Sequence, residues 1–151
     1  MKIVLGSDHA GFNLKEKIKK YLKEQDFSFD DLGTYSTDPV DYPDITLKVA
    51  KAVAKGEYRR GIIVCGTGIG TAIAANKVPG IRAALCHDPV SSSFSRTHND
   101  ANILTLGERI IGPNLALEIV RIFLTTEFSG GRHIRRVEKI KKIEEKYSKG
   151  E

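Results

Sequence analysis

Ile62-Ile63-Val64-Cys65-Gly66-Thr67-Gly68-Ile69-Gly70 is the stretch on which the reading of this chain turns. A continuous apolar run of this length marks a strand buried on both faces, and glycines at alternate positions end it abruptly. A helical stretch, Thr71–Lys77, follows. Strand, glycine-rich turn and helix in that order form the opening of a parallel βαβ unit. The same alternation extends outward on both sides. Toward the N-terminus, Ile3-Val4-Leu5 reads as a strand, and Leu14, Ile18, Tyr21 and Leu22 recur at helical spacing. Phe27 and Phe29 alternate as in a second strand, and a helix opening at Pro43-Asp44 carries Ile45, Val49 and Val53 on one face. Toward the C-terminus, Arg82–Cys86 reads as the fourth strand, Val90–Arg96 as a short helix and Ile103–Leu106 as the fifth strand. Pro113 suits the first position of a helix running to about Thr125. The pattern predicts an α/β fold, a three-layer α/β/α sandwich around a five-stranded parallel, Rossmann-like sheet.

Beyond Ser129-Gly130-Gly131, a C-terminal amphipathic helix is expected over residues 132–149, with Ile134, Val137, Ile140, Ile143 and Tyr147 as its apolar stripe. Such a stripe needs cover, from its own domain or from a partner subunit. With no linker or repeat, residues 1–151 read as one domain, a length that allows a real core. From Arg132 to Lys149 there are eight Lys or Arg and three Glu, so this segment alone accounts for the net charge of +5. The body is neutral, which argues against a general nucleic-acid binder, and no aromatic stacking platform accompanies the basic tail. No apolar run approaches the roughly 20 residues of a membrane span, and the first residues turn polar too soon for a signal peptide. A cytoplasmic protein with two free thiols, Cys65 and Cys86, is expected. The histidines lack metal-ligand spacing and there is no C-x-x-C, so no metal and no cofactor are expected.

Ligands of open α/β sheets bind beyond the C-terminal ends of the strands. Two loops there stand out, Ser7-Asp8-His9-Ala10-Gly11 after the first strand and the glycine loop after the third. The glycine loop is either an anion site built from backbone N–H groups or a tight turn. Its G-x-G-x-G spacing departs from a dinucleotide fingerprint, although Asp88 lies about 20 positions on. Cys65 is either a buried structural cysteine or, beside helix N–H groups, a thiolate able to act as base or nucleophile. Cys86 reads as structural. Asp8 and His9 are an acid–base or phosphate pair, or else a capping aspartate beside a half-exposed histidine. His98-Asn99-Asp100 is a polar cluster or simply a turn. Arg132 and Arg136, four apart on one helix face, suit a phosphate or form a solvated basic face. His87 and His133 read as structural.

Taken together, Gly6–Gly11, Asp41-Tyr42-Pro43, Cys65–Gly70, Ala74–Lys77, Ser95–Asn102, Gly130–His133 and Arg136-Val137 resemble, in order and over nearly the whole chain, the type B ribose-5-phosphate isomerases. The wider group includes the galactose- and allose-6-phosphate isomerases. The resemblance implies an aldose–ketose isomerase interconverting ribose 5-phosphate and ribulose 5-phosphate through an enediolate. It implies that Cys65 takes the C2 hydrogen, and that His98 opens the furanose ring. Thr67 would help move a proton between O1 and O2, and Gly66, Thr67, Gly68, Ile69 and Gly70 would form the anion hole. Asp8, His9, Asn99, Arg109, Arg132 and Arg136 would bind substrate, the arginines and His9 toward its phosphate. One branch of the family replaces the cysteine by a glutamate immediately after the glycine loop; here that position is Thr71, leaving Cys65 as the candidate base. Backbone donors matter to this chemistry because negative charge develops on a sugar oxygen, and losing one such donor costs about 3 kcal/mol.

Cys65 ends the third strand, whereas His98 precedes the fifth, so one chain would hold them at opposite edges of a parallel sheet. A homodimer with a shared active site, or a larger assembly of such pairs, is therefore expected, with His98 and Asn99 supplied across the interface; a fully active monomer would overturn this. The alternatives are a hexose-6-phosphate isomerase of the same family and, from a different class, a nucleotide-binding module indifferent to loss of Cys65.

Overall fold

The computed structural model describes residues 1–148. Five strands, β1 (Lys2–Ser7), β2 (Ser28–Asp31), β3 (Arg60–Cys65), β4 (Ala83–Leu85) and β5 (Ile103–Gly107), form one sheet in the order β2-β1-β3-β5-β4. Every pairing is parallel, with Leu5 opposite Ile62 and Ile62 opposite Leu104. The helices are α1 (Phe12–Glu24), α2 (Tyr42–Ala54), α3 (Ile69–Ala75), α4 (Pro89–Thr97), α5 (Pro113–Thr125) and α6 (Arg132–Tyr147). Among the described residues no helix is long and apolar enough to cross a membrane.

The three layers follow from the period-2 geometry of the strands. Ile3, Leu5, Ile62, Val64, Leu104 and Leu106 face α1 and α5, packing on Leu14, Ile18, Leu22, Ile119, Val120 and Phe123. Val4, Ile63 and Ile103 face the other way, onto Val49, Ala50 and Val53 of α2 and Ala75 of α3. Both faces of β1, β3 and β5 are thus dry, which is why these strands read as continuous apolar runs. Each such Ile or Leu contributes about 1.5–3 kcal/mol by leaving water.

Several boundaries differ from those read in the sequence, each for a local reason. β2 is the short edge segment Ser28–Asp31, paired with β1; it keeps Phe29 of the expected alternating pair, and Phe27 lies just before it. α3 begins at Ile69, two residues earlier than expected and within the glycine loop, because Gly68 adopts φ +77 and turns the chain into the helix. That conformation favours glycine, and a Cβ there would also meet the Leu106 carbonyl carbon at 2.9 Å. β4 spans only Ala83–Leu85, leaving Cys86 just past its end. α6 buries Val137 alone; Ile134, Ile140, Ile143 and Tyr147 stay exposed on the single chain. Lys149, included in the expected helix, lies outside the described residues.

Candidate active site

The chain leaves β1 to build β2 on one side and β3 on the other. The crevice above the C-terminal ends of β1 and β3 is therefore the switch point at which such sheets bind ligands. A cleft of about 500 Å³ opens there, lined by Asp8, His9, Tyr42, Cys65, Gly66, Thr67, Ile69, Gly70, Ile73 and Arg109.

Cys65 sits on its floor, 4% exposed at the end of β3. The Gly68 N–H donates to its sulfur at 3.1 Å, the kind of contact a developing thiolate accepts. Thr71 Oγ1 lies 3.4 Å from the same sulfur and donates to the Gly68 carbonyl at 3.2 Å. With its proton spent on that carbonyl, the Thr71 hydroxyl is placed to accept from the thiol. Cys86 has no such loop after it, and burial pushes its thiol up to about 11, the behaviour of an inert structural cysteine.

Thr67 accepts the Ile69 N–H at 3.2 Å, which fixes the loop's conformation. The turn just past β5, the neighbour of β3, holds the loop from the other side: the Glu108 N–H donates to the Cys65 carbonyl at 2.9 Å and the Arg109 N–H to the Gly66 carbonyl at 3.0 Å. The Arg109 guanidinium is folded over Gly66, with Nη1 3.1 Å from where a Cβ would stand. Across the cleft, Asp8 caps the short 3-10 turn His9–Gly11 through a 3.0 Å bond from the Gly11 N–H. His9 Nδ1 accepts the Val40 N–H at 3.1 Å, so a neutral ring carries its proton on Nε2 and keeps a donor free. The cleft thus combines a thiol among backbone donors with a guanidinium and an imidazole at its rim. Such a set can take a carbon-bound proton, bear charge on an adjacent oxygen and hold an anion.

Of the residues singled out in the sequence, Cys65, Thr67, Asp8, His9, Gly66, Ile69, Gly70 and Arg109 line this cleft, and Gly68 backs it with its N–H. His98, Asn99, Arg132 and Arg136 do not. β3 runs roughly 17 Å from the N-terminal to the C-terminal end of the strands; Cys65 is at its C-terminal end, whereas His98 caps the C-terminus of α4 at the opposite end, just before β5 begins. There its ring is sandwiched between Phe94, with centroids 4.5 Å apart, and His133 at 4.2 Å. Desolvation, then the nearby His98, Arg132 and Arg136, hold the His133 imidazole below its usual 6.5. His87 behaves as the sequence suggested: its Nε2 accepts the Gly107 N–H at 3.0 Å, and burial lowers its pKa.

Two residues at these places escaped the sequence reading. Tyr42 packs so closely on Gly70 that a Cβ there would lie 2.5 Å from its ring, and it forms a wall of the cleft. His133 belongs to the same stack as His98, for which its place beside Arg132 was the available signal. Among the described residues no group of three His, Cys, Asp or Glu could hold a metal ion.

A family model described as Ribose/Galactose Isomerase matches residues 3–140. The solved structure of Clostridium thermocellum ribose-5-phosphate isomerase B superposes with a TM-score of 0.96 at 58% identity, covering 98% of this chain and 100% of that one. Ribose-5-phosphate isomerase B of Escherichia coli is 48% identical over 96% of this chain and 97% of its own length. The same enzyme from Mycoplasma genitalium, solved with bound ribulose-5-phosphate, is 41% identical, with a TM-score of 0.92 and coverage of 95% and 96%.

Proposed function

The chain belongs to the ribose/galactose isomerase family, and on that premise we propose that it interconverts ribose 5-phosphate and ribulose 5-phosphate with Cys65 as the base. The observation that carries this reading is the Cys65 sulfur on the floor of the cleft, 3.1 Å from the Gly68 N–H and beneath the glycine loop. Cys65 takes the C2 proton of the open-chain aldose and returns it to C1. Negative charge moves onto the sugar oxygens, where the backbone N–H groups of Gly66–Gly70 meet it and the Thr67 hydroxyl helps pass a proton between O1 and O2. His9 and Arg109 hold the phosphate. The chemistry needs no cofactor.

His98, Asn99, Arg132 and Arg136 complete the site from a second copy of the chain. This part of the proposal rests on their grouping away from the cleft and on the exposed stripe Ile134, Ile140, Ile143 and Tyr147 of α6, which a partner subunit would cover. His98 then opens the furanose ring, and the two arginines join the phosphate. The unit is one isomerase domain over residues 1–151, working as a homodimer.

The test is turnover of ribose 5-phosphate to ribulose 5-phosphate in the presence of EDTA, beside allose and galactose 6-phosphates. Preferential turnover of the pentose supports the proposal; preferential turnover of a hexose phosphate moves the assignment to that substrate. Tight nucleotide binding with no isomerisation of any sugar would overturn it.

A further inference from the structure

The turn that presents His98 and Asn99 is held by two arginines whose hydrogen bonds go to neither of these side chains. Arg82, at the entry to β4, donates through Nε to the Asn99 carbonyl at 3.0 Å and to the Asp100 carbonyl at 3.2 Å. Its Nη2 reaches the Asp100 carbonyl at 2.9 Å and pairs with the Asp100 carboxylate at 3.5 Å. Arg96, 4% exposed in the last turn of α4, donates through Nη1 to Asp100 Oδ1 at 2.9 Å and to the Ala101 carbonyl at 2.6 Å. Its Nε is anchored on the Thr126 carbonyl at 3.0 Å, just past α5. Three successive carbonyls, Asn99 to Ala101, therefore end on guanidinium groups, with the Asp100 carboxylate bridging the two cations. Asp100 itself adopts φ +48, a conformation that non-glycine residues visit rarely. The Asn102 side chain fixes the end of the turn: its Oδ1 accepts the Arg82 backbone N–H at 2.8 Å and its Nδ2 donates to the Gly80 carbonyl at 2.9 Å.

We propose that Arg82, Arg96 and Asp100 form a positioning clamp for ring opening. They lock the 98–102 turn so that the His98 imidazole, already stacked between Phe94 and His133, is delivered to the neighbouring site in one orientation. The inference rests on the reading that His98 opens the sugar ring. The planar fork of a guanidinium suits the task because it engages two adjacent carbonyls at once, which a lysine ammonium does not do in fixed geometry. Catalytic groups held about an ångström out of place lose rate steeply, so a residue acting only through backbone carbonyls can still govern turnover.

The experiment is a double-mutant cycle on the full-length protein with ribose 5-phosphate as substrate. kcat and KM are measured for the wild type, Arg82→Gln, His98→Asn and the double variant, and thermal unfolding is followed for each. The clamp predicts that Arg82→Gln lowers kcat about tenfold or more in the wild-type background, with KM within about twofold. In the His98→Asn background the same change should cost less than about twofold, because the group it positions is gone. Equal losses in both backgrounds would show a general scaffold role and overturn the proposal, as would no loss in the wild type. A silent His98→Asn would overturn the ring-opening reading beneath it, and would be seen as such in that single variant. Asp100→Asn, which keeps the size and removes the bridging charge, replaces Arg82→Gln in the cycle if the latter does not fold. The same predictions apply to it.

Discussion

Replacing Asp31 by asparagine exposes the cost of the buried Lys15 ammonium. The Lys15 side chain is fully buried and that of Asp31 only 11% exposed, with their charged atoms 2.7 Å apart. Asp31 also pairs with Lys19 at 2.9 Å and accepts the Gly33 N–H at 2.9 Å. Around the Lys15 ammonium stand the rings of Phe12 and Tyr35, 5.6 and 5.5 Å away, and the Thr34 carbonyl. Asp31→Asn preserves shape but leaves that ammonium without its partner charge, a change that costs about 3–5 kcal/mol when one member of a buried pair is removed. For a chain of this size each kcal/mol moves the midpoint by about 2–4 °C, so Tm should fall by about 6–20 °C. Urea and thermal unfolding at pH 7 give the measurement. A loss below about 1 kcal/mol would refute the reasoning, since it would mean that water already solvates the lysine. The acid limb supplies a further check. Burial alone would raise the Asp31 carboxyl, but hydrogen bonds from Lys15, Lys19 and the Gly33 N–H outweigh it and hold the group below 3.8. Its stabilisation is therefore full above about pH 4 and is lost as pH falls through the lowered folded value. The gap between wild type and Asp31→Asn should narrow over that range.

Gly70→Ala places a methyl group 2.5 Å from the Tyr42 ring and should drive that wall out of the cleft; kcat/KM should fall on the order of tenfold or more, and steady-state kinetics with ribose 5-phosphate checks it. Ile140→Glu with Ile143→Glu puts charge on the exposed stripe of α6 and should yield a folded monomer of much reduced turnover, read by analytical ultracentrifugation and activity together. An NMR titration of the His133 ring should give a midpoint below 6.5. The folded state resists that proton, so stability from this group is full above 6.5 and declines as pH drops toward the lowered value.

Which parts of this account could be read from sequence depends on whether the determining physics is local. Ile3–Leu5, Ile62–Cys65 and Ile103–Leu106 were legible as strands because central parallel strands are dry on both faces. β2 was legible through Phe29, but its bounds were not, since Phe27 falls outside it and the pairing of Ser28–Asp31 with β1 sets its ends. The start of α3 depended on a left-handed Gly68, which several local conformations could have satisfied. That the glycine loop, Asp8, His9 and Cys65 would meet at one cleft was legible, because loops past the C-terminal ends of the strands converge in this topology. Tyr42 reaches the cleft only through its contact with Gly70, 28 positions later in the chain. Lys15 looked like any solvated lysine of α1, and only the return of Asp31 from β2 makes its burial possible.

If Cys65 moves the proton, turnover of ribose 5-phosphate by Cys65→Ala and Cys65→Ser, with thermal unfolding of each variant, shows it. Loss of kcat should reach about 10²–10⁴-fold, the range expected when a positioned base is removed, with folding retained. Turnover within a few-fold of wild type in a folded Cys65→Ala protein would contradict it and return Cys65 to the status of a buried structural residue.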